Sequence, residues 1–173
     1  MVRGINVGGR AKVKMDDLRA VFSALGHADV TTYIQSGNVV FTTSARSSPK
    51  VAEAIENRIR QDVGLAVSVL LRTGPELGTV IAANPFLQRG ADPAKLHVTF
   101  LVDTPDPERL GRVEVPDSGP DEFTIVGREI YVHCPQGYGR TKLNNTLWER
   151  RLGVPATTRN WNTVVKLHEL ATS

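Results

Sequence analysis

Two stretches in the first half of the chain repeat apolar residues at helical spacing. The first begins at Met15 and ends before Gly26, and the second opens at Ser48-Pro49 and ends at Gly64. A serine cap followed by a proline in the first turn is typical of a helix start. Steps of three and four residues place the apolar positions on one side of each helix. The positions on these predicted buried faces are Leu18, Val21, Phe22 and Leu25 in the first helix and Val51, Ile55 and Ile59 in the second.

Alternation of apolar and polar residues predicts strands around these helices. MVRGINVG predicts a short strand that Gly8-Gly9 ends, and LAVSVLLRT predicts another over residues 65–73. Between the helices, VTTYIQSGNVVFTT predicts a hairpin whose tight turn takes its positive-φ residues from Ser36-Gly37-Asn38. The predicted order of the first half is therefore β-α-β-β-α-β.

The same order recurs after a connecting helix that opens at Gly74-Pro75 and ends before Asn84-Pro85. The predicted elements are a strand over residues 96–103, a short helix from Asp106-Pro107, a hairpin over 122–134 that turns at Gly127-Arg128, a helix over 141–151, a brief strand over 154–157 and a closing helix over 160–171. The two matching orders predict an α+β fold of two tandem ferredoxin-like (βαββαβ) halves, with largely antiparallel sheets and a closing C-terminal helix.

The predicted domains follow from this repeat. They are a first ferredoxin-like subdomain over residues 1–74, a connecting helix and loop over 75–94, and a second subdomain with the C-terminal helix over 95–173. Because residue identity between the halves is poor, a single mixed sheet without duplication is the alternative.

Composition narrows the class of protein. The 173 residues are 40% hydrophobic and 23% charged, which is ordinary for a soluble globular protein. No apolar run approaches the roughly 20 residues of a membrane helix, and the N-terminus lacks a signal-peptide pattern. Since Cys134 is the single cysteine, a disulfide framework within the chain is excluded. We therefore expect a cytoplasmic protein that has no contact with a membrane.

Positive charge is concentrated at the two ends of the chain. Residues 1–14 carry a net charge of +4 and residues 136–173 also carry +4, whereas residues 15–135 carry −5. If the fold brings the ends together, they form one positive region that attracts an anion. Scattered, solvated charge is the alternative.

Two polar segments near the C-terminus are candidate binding sites. GYGRTK, residues 137–142, combines flexible glycines with two cations before a predicted helix start at Thr141, an arrangement suited to an anion or to a hinge and cap alone. TTRNWNT, residues 157–163, carries more polar groups than one helix cap needs. Its surplus favours either a ligand pocket, in which Arg159 grips a carboxylate or phosphate, or a buried hydrogen-bond network that holds Trp161.

Metal and nucleophile chemistry find little support in the sequence. The four histidines are dispersed, and none has H-x-x-x-H or C-x-x-C spacing, so no metal and no cofactor are expected. His133 and Cys134 are adjacent on a predicted strand and face opposite sides, so they do not form a nucleophile and base pair. The sequence names no catalytic residue, and enzymatic activity stays undecided.

Several of these segments together resemble a known family. RGINVGG, KVKM, YIQSGNVVF and ATTRNWNTV are similar to the bacterial family catalogued as domain of unknown function 1697, with a match from Arg3 to about Leu170. The resemblance implies a bacterial, cytoplasmic α+β protein of two similar subdomains and implies no activity. Members typically carry a few more residues before the Arg-Gly-Ile-Asn run, which implies that the first strand is shortened here. The polar positions that recur in the family motifs are Arg3, Asn6, Gln35, Ser36, Asn38, Lys142, Arg159, Asn160 and Asn162.

These residues are the predicted ligand-binding set. We expect them to line a basic, Asn-rich cleft between the halves that binds a small anionic ligand, either a nucleotide or a phosphorylated metabolite. Arg3, Lys142 and Arg159 would neutralise charge, and the amides would orient the ligand. Two alternatives remain open: nucleic-acid binding through the basic termini, and an interaction module that forms a homodimer through an exposed strand edge.

Overall fold

The computed structural model describes residues 1–6 and 12–173, which form two compact units. Unit 1 consists of Met1–Thr73 and Leu170–Ser173, and unit 2 of Gly74–Glu169. Both units combine helices with antiparallel sheets, which confirms the predicted α+β class. The predicted boundaries at 1–74, 75–94 and 95–173 stay a prediction. Within the described residues, no helix is both long enough and apolar enough to cross a membrane.

Unit 1 is built on one hairpin and two longer helices. Its elements are α1 (Met15–Ala24), β1 (Ala28–Tyr33), β2 (Asn38–Thr42) and α2 (Ser48–Val63). The strands pair antiparallel with Tyr33 opposite Asn38. The predicted hairpin is confirmed, but its turn begins earlier than Ser36: β1 ends at Tyr33, and the turn spans residues 34–37. The chain leaves the strand because Ile34 has a φ of 49° and Gly37 a φ of 76°.

The first and last strands predicted for unit 1 are reduced to a single β-bridge. Val2 pairs antiparallel with Val69, and backbone hydrogen bonds of 2.9 Å join Arg3 N to Ser68 O and Leu70 N to Met1 O. Residues 65–73 therefore pair with the N-terminal segment only around Val69 and do not form the full strand that was predicted. The predicted end of the first strand at Gly8-Gly9 lies outside the described residues.

The predicted helix faces form the core of unit 1. Leu25 packs against that core half-buried, and the other predicted positions are buried. The rings of Phe22 and Phe41 lie 5.0 Å apart between α1 and the hairpin. Gly26 and Gly64 both take positive φ just beyond the helix ends, as C-terminal glycines do. The buried positions are Leu18, Val21, Phe22, Val51, Ile55 and Ile59.

Unit 2 is built around a four-stranded antiparallel sheet in the order β4-β5-β3-β6. Its strands are β3 (Leu96–Leu101), β4 (Glu122–Val126), β5 (Glu129–His133) and β6 (Ala156–Asn160). Its helices are α3 (Gly74–Ala82), α4 (Pro85–Gln88), α5 (Pro107–Gly111), α6 (Asn145–Leu152) and α7 (Trp161–Thr172), with 3₁₀ turns at Pro93–Lys95 and Tyr138–Arg140. The last residues of α7, from Leu170, are assigned to unit 1. The hairpin that turns at Gly127-Arg128 is confirmed.

Two predicted boundaries in unit 2 are wrong. The helix expected from Thr141 begins at Asn145, because the side chain of Asn144 caps it by accepting from Leu147 N at 3.1 Å. Thr141 instead accepts from Leu143 N at 3.1 Å, before the helix. The strand expected over 154–157 spans Ala156–Asn160, so the whole polar TTRN run at 157–160 is extended and the closing helix begins at Trp161.

Helix α6 covers one face of this sheet. Trp148 is fully buried, its ring lies 4.9 Å from that of Phe123, and its Nε1 donates to Leu143 O at 3.2 Å. On the strands, Leu101, Val132 and Ala156 complete this core. The arrangement of two tandem ferredoxin-like halves is not confirmed, since unit 1 has a two-stranded sheet and unit 2 a four-stranded one.

Candidate functional site

Asn6 ties the segment before α1 to the tip of the unit 1 hairpin. Its Nδ2 donates to Val13 O at 3.0 Å and to Gln35 O at 2.9 Å, and its Oδ1 accepts from Val13 N at 2.8 Å. Both amide protons are used, so Asn6 holds two loops together and has no donor left for a ligand.

The other predicted residues of the hairpin tip differ in exposure. Asn38 is fully buried, and its Nδ2 donates to Ser36 Oγ at 2.9 Å and to Tyr33 O at 3.3 Å. These bonds stabilise the turn from inside. Gln35 is exposed and lines an open pocket. Of this predicted group, Gln35 is therefore the residue placed to touch a ligand.

That open pocket, which we call the lysine pocket, lies in unit 1. Its volume is about 870 Å³. Three cationic side chains and one carboxylate border it, and the carboxylate of Asp16 pairs with Arg19. The lining residues are Asn6, Lys12, Val13, Lys14, Met15, Asp16, Arg19 and Gln35.

Arg3 lies at a second, smaller pocket of unit 1. Its backbone N–H bonds Ser68, and with Gly4 and residues 65–68 it lines a space of about 290 Å³. The lining of this pocket includes none of the other predicted residues.

In unit 2, Arg159 is buried in the sheet and not displayed on its surface. Its Nη1 donates to Thr157 Oγ1 and to Thr158 O, both at 2.8 Å. Burial lowers the pKa of the Arg159 guanidinium to about 10, because desolvation disfavours the charged form. The side chain is 9% exposed, so little of its charge reaches solvent.

The surplus polar residues of TTRNWNT serve both faces of β6. Alternation puts Thr157 and Arg159 on one face and Thr158 on the other. Thr158 Oγ1 lies 2.6 Å from Thr99 Oγ1 across the strand pair and donates to Asn145 Oδ1 at 2.7 Å. These bonds form a side-chain network within unit 2, and none of them involves Trp161, which the predicted network was expected to hold.

The remaining predicted residues of unit 2 lie at the end of β6, in the first turn of α7 and in a loop. Asn160 Oδ1 accepts from Thr163 N at 2.8 Å and thereby caps α7, while Asn162 is exposed on its first turn. Lys142 is exposed, and its Nζ donates to Asp117 O at 2.8 Å. The convergence of residues from the two halves on one cleft stays a prediction.

Metal and nucleophile sites do not emerge from the geometry. Among residues 1–6 and 12–173, no three His, Cys, Asp or Glu side chains are grouped as a metal site requires. Cys134 is fully buried, and burial raises the pKa of its thiol, which disfavours the reactive thiolate.

A second basic site was missed at the sequence level. Four arginines, together with Asp106 and Glu108, line a space of about 450 Å³ between α5 and α6, which we call the arginine pocket. A sequence signal was available, because ERLGR at 108–112 and ERRLG at 149–153 repeat the same residues. The four arginines are Arg109, Arg112, Arg150 and Arg151.

Comparisons with known proteins agree with the resemblance inferred from the motifs. A search of curated proteins finds no match. Among solved structures, the chain is similar to the conserved bacterial protein SP0830 from Streptococcus pneumoniae, with 25% identity, a TM-score of 0.76, and coverage of 99% of this chain and 96% of that one. A family model matches residues 1–131, which is more than half of the sequence. The chain therefore belongs to the family described as "Protein of unknown function (DUF1697)".

Proposed function

We propose that unit 1 binds a small anionic ligand, a nucleotide or a phosphorylated metabolite, in the lysine pocket. The observation that carries the proposal is the placement of Lys12 and Lys14 beside Gln35 around one open space of about 870 Å³. A cavity of this size accommodates a nucleotide-sized molecule.

Charge supports an anion. Within the described part of the chain, neither Lys12 nor Lys14 forms an ion pair, and the one carboxylate of the pocket, Asp16, pairs with Arg19. The lysine charges are therefore not neutralised by the lining. A phosphate or carboxylate that enters the pocket gains charge-assisted hydrogen bonds from the two ammonium groups.

The start of α1 adds donors at the same place. Lys14 is the N-cap residue and its side chain makes no capping hydrogen bond, so the first backbone N–H groups of the helix have no side-chain acceptor there. Asp16 and Asp17 compete for the positive end of the helix dipole. We therefore expect the lysines, more than the dipole, to supply the affinity.

The hairpin tip holds Gln35 in position at a conformational cost. Ile34, a β-branched residue, has a φ of 49°, a region that such side chains rarely adopt. Strain of this kind costs about 1–3 kcal/mol and is common at ligand sites. Asn6 fixes the next residue by its bond to Gln35 O. The result is a braced loop that places Gln35 at the edge of the pocket.

A thermal-shift screen against nucleotides and phosphorylated metabolites tests the proposal. A ligand at about 100 times its Kd stabilises a protein by roughly 2.7 kcal/mol, which gives a clear shift in Tm. We expect at least one hit, and we expect the double variant Lys12→Gln/Lys14→Gln to lose it. Lys50→Gln is the matched control, because Lys50 is an exposed lysine in the first turn of α2.

Two outcomes would overturn the proposal. One is a screen without any hit. The other is a hit that persists unchanged in the Lys12→Gln/Lys14→Gln variant, since the ligand would then bind elsewhere. Binding of nucleic acid through the basic termini, and a homodimeric interaction module, stay predictions.

For the fold, we propose that unit 2 is a ferredoxin-like half and that unit 1 is a reduced version of the same repeat. The support is the chain order β3-α5-β4-β5-α6-β6 with the spatial order β4-β5-β3-β6. In unit 1, the bridge between Val2 and Val69 joins the two segments in which the first and last strands of the repeat are expected.

A further inference from the structure

The arginine pocket concentrates like charges at the C-terminal ends of two neighbouring helices. Arg109 and Arg112 lie at the end of α5, and Arg150 and Arg151 in the last turn of α6. The two helices pack against each other, so the four side chains border one space of about 450 Å³.

The surroundings do not neutralise these charges. In residues 1–6 and 12–173, none of the four guanidinium groups forms an ion pair or a side-chain hydrogen bond. Asp106 lines the pocket, but its Oδ1 accepts from Glu108 N at 2.7 Å as the cap of α5. Two carboxylates face four arginines, which leaves an excess of positive charge.

Helix dipoles offer the plain explanation for arginines at helix ends. Each C-terminus carries about half of a negative charge, which favours a nearby cation. Such partial charges account for one or two arginines and not for four. Repulsion between the remaining guanidinium groups is relieved when an anion lies between them.

Two details show that the pocket is ordered on one side. A Cβ at Gly153 would lie 2.8 Å from Arg109 Nη1, so that guanidinium packs directly on the chain just after α6. The Nε of Arg151 is buried and has no hydrogen-bond partner among the described residues. A buried N–H donor without an acceptor is costly.

We infer that the arginine pocket binds a ligand that carries two or more linked phosphates. Guanidinium groups present paired N–H donors that match phosphate oxygens two at a time. A single phosphate cannot engage four such groups, whereas a di- or triphosphate chain can bridge the ends of both helices. This site lies in unit 2 and is separate from the lysine pocket in unit 1.

Titration of ¹⁵N-labelled protein with tripolyphosphate tests the inference residue by residue. At about 0.15 M salt, where exposed charges are screened beyond about 8 Å, we expect shifts of the amides at 109–112 and 150–153. If the linked phosphates belong to a nucleotide, ATP without metal should shift the same amides, and AMP should not. The proposed function of the lysine pocket is tested separately: if it is wrong, inorganic phosphate should leave the amide resonances of residues 12–19 unshifted.

Variants decide whether these arginines are responsible. We expect Arg112→Gln/Arg150→Gln to weaken tripolyphosphate binding at least tenfold, as the loss of two charge-assisted contacts predicts. Both side chains are exposed, so the variant should fold. The matched control is Arg46→Gln/Arg60→Gln, which removes two exposed arginines of unit 1 and should change affinity by less than about twofold.

Four results would overturn the inference. The first is the absence of shifts at the two helix ends. The second is an equal response to citrate, which would show attraction by charge alone. The third is a control variant that binds as weakly as Arg112→Gln/Arg150→Gln. The fourth is a single-stranded oligonucleotide that binds with a footprint far beyond the pocket. Either of the last two would indicate diffuse electrostatic binding.

Discussion

Replacement of Gly37 by alanine probes how closely the unit 1 hairpin packs on the N-terminal segment. The added Cβ would lie 2.8 Å from both Cγ1 and Cδ1 of Ile5 and 3.1 Å from Val2 O. Ile5 is 1% exposed, so its side chain cannot swing into solvent. The substitution therefore forces either the hairpin or the N-terminal segment to move.

The expected cost has two parts. Gly37 has a φ of 76°, and a left-handed conformation costs an L-residue roughly 1–2 kcal/mol. Overpacking a filled site typically adds about 1–3 kcal/mol. Gly64→Ala is a matched control, because Gly64 has a φ of 74° and a Cβ there would meet nothing within 4 Å. We expect Gly37→Ala to lower the free energy of unfolding by about 2–5 kcal/mol and Gly64→Ala by roughly 1–2 kcal/mol.

Urea unfolding followed by far-UV circular dichroism measures both costs, and hydrogen exchange assigns the loss to unit 1. A double-mutant cycle isolates the contact with Ile5: in an Ile5→Ala background, Gly37→Ala should cost less than it does in the native background, because only the 3.1 Å approach to Val2 O remains. Equal costs for the two glycines in the native background would refute the close approach of Gly37 to Ile5.

The remaining predictions concern unit 2. Burial lowers the pKa of His97, so the unfolded state binds more protons than the folded state below pH 6.5, and the free energy of unfolding falls between pH 7 and 5. His97→Phe keeps a ring beside Tyr138 but cannot bind a proton, so its Tm should fall less over that range. Cys134, whose thiol pKa burial raises, should react with a thiol reagent only when urea unfolds the chain, and rapid labelling of the native protein would contradict its burial. Trp148→Phe should cost about 2–3 kcal/mol in urea unfolding, since Leu143 O loses its donor and a cavity remains; a cost under about 0.5 kcal/mol would refute this packing.

Local signals in the sequence were sufficient for much of the fold. The faces of α1 and α2 and the turn at Gly127-Arg128 depend on residues that are close in the chain, so spacing and turn chemistry reveal them. The extent of β6 depends instead on pairing with β3, about 60 residues earlier, which a local pattern cannot show. The polar run that suggested a helix start is therefore mostly strand.

Assignment of the site residues was harder for a related reason. A polar side chain at a turn or helix end has the same sequence signature whether it contacts a ligand or the backbone. Asn6, Asn38 and Asn160 bond backbone atoms nearby, whereas Gln35 lines an open pocket. Only the fold reveals which atoms each amide meets. The arginine pocket was missed because it depends on the contact between two helices distant in sequence.

Titration of ¹⁵N-labelled protein with inorganic phosphate tests the proposed anion site most directly, because phosphate is the group shared by nucleotides and phosphorylated metabolites. We predict saturable shifts of the amides at 12–19 and 35–36 that disappear in Lys12→Gln/Lys14→Gln and persist in Lys50→Gln. Unchanged spectra in this region, or the same shifts in the double lysine variant, would contradict anion binding in the lysine pocket.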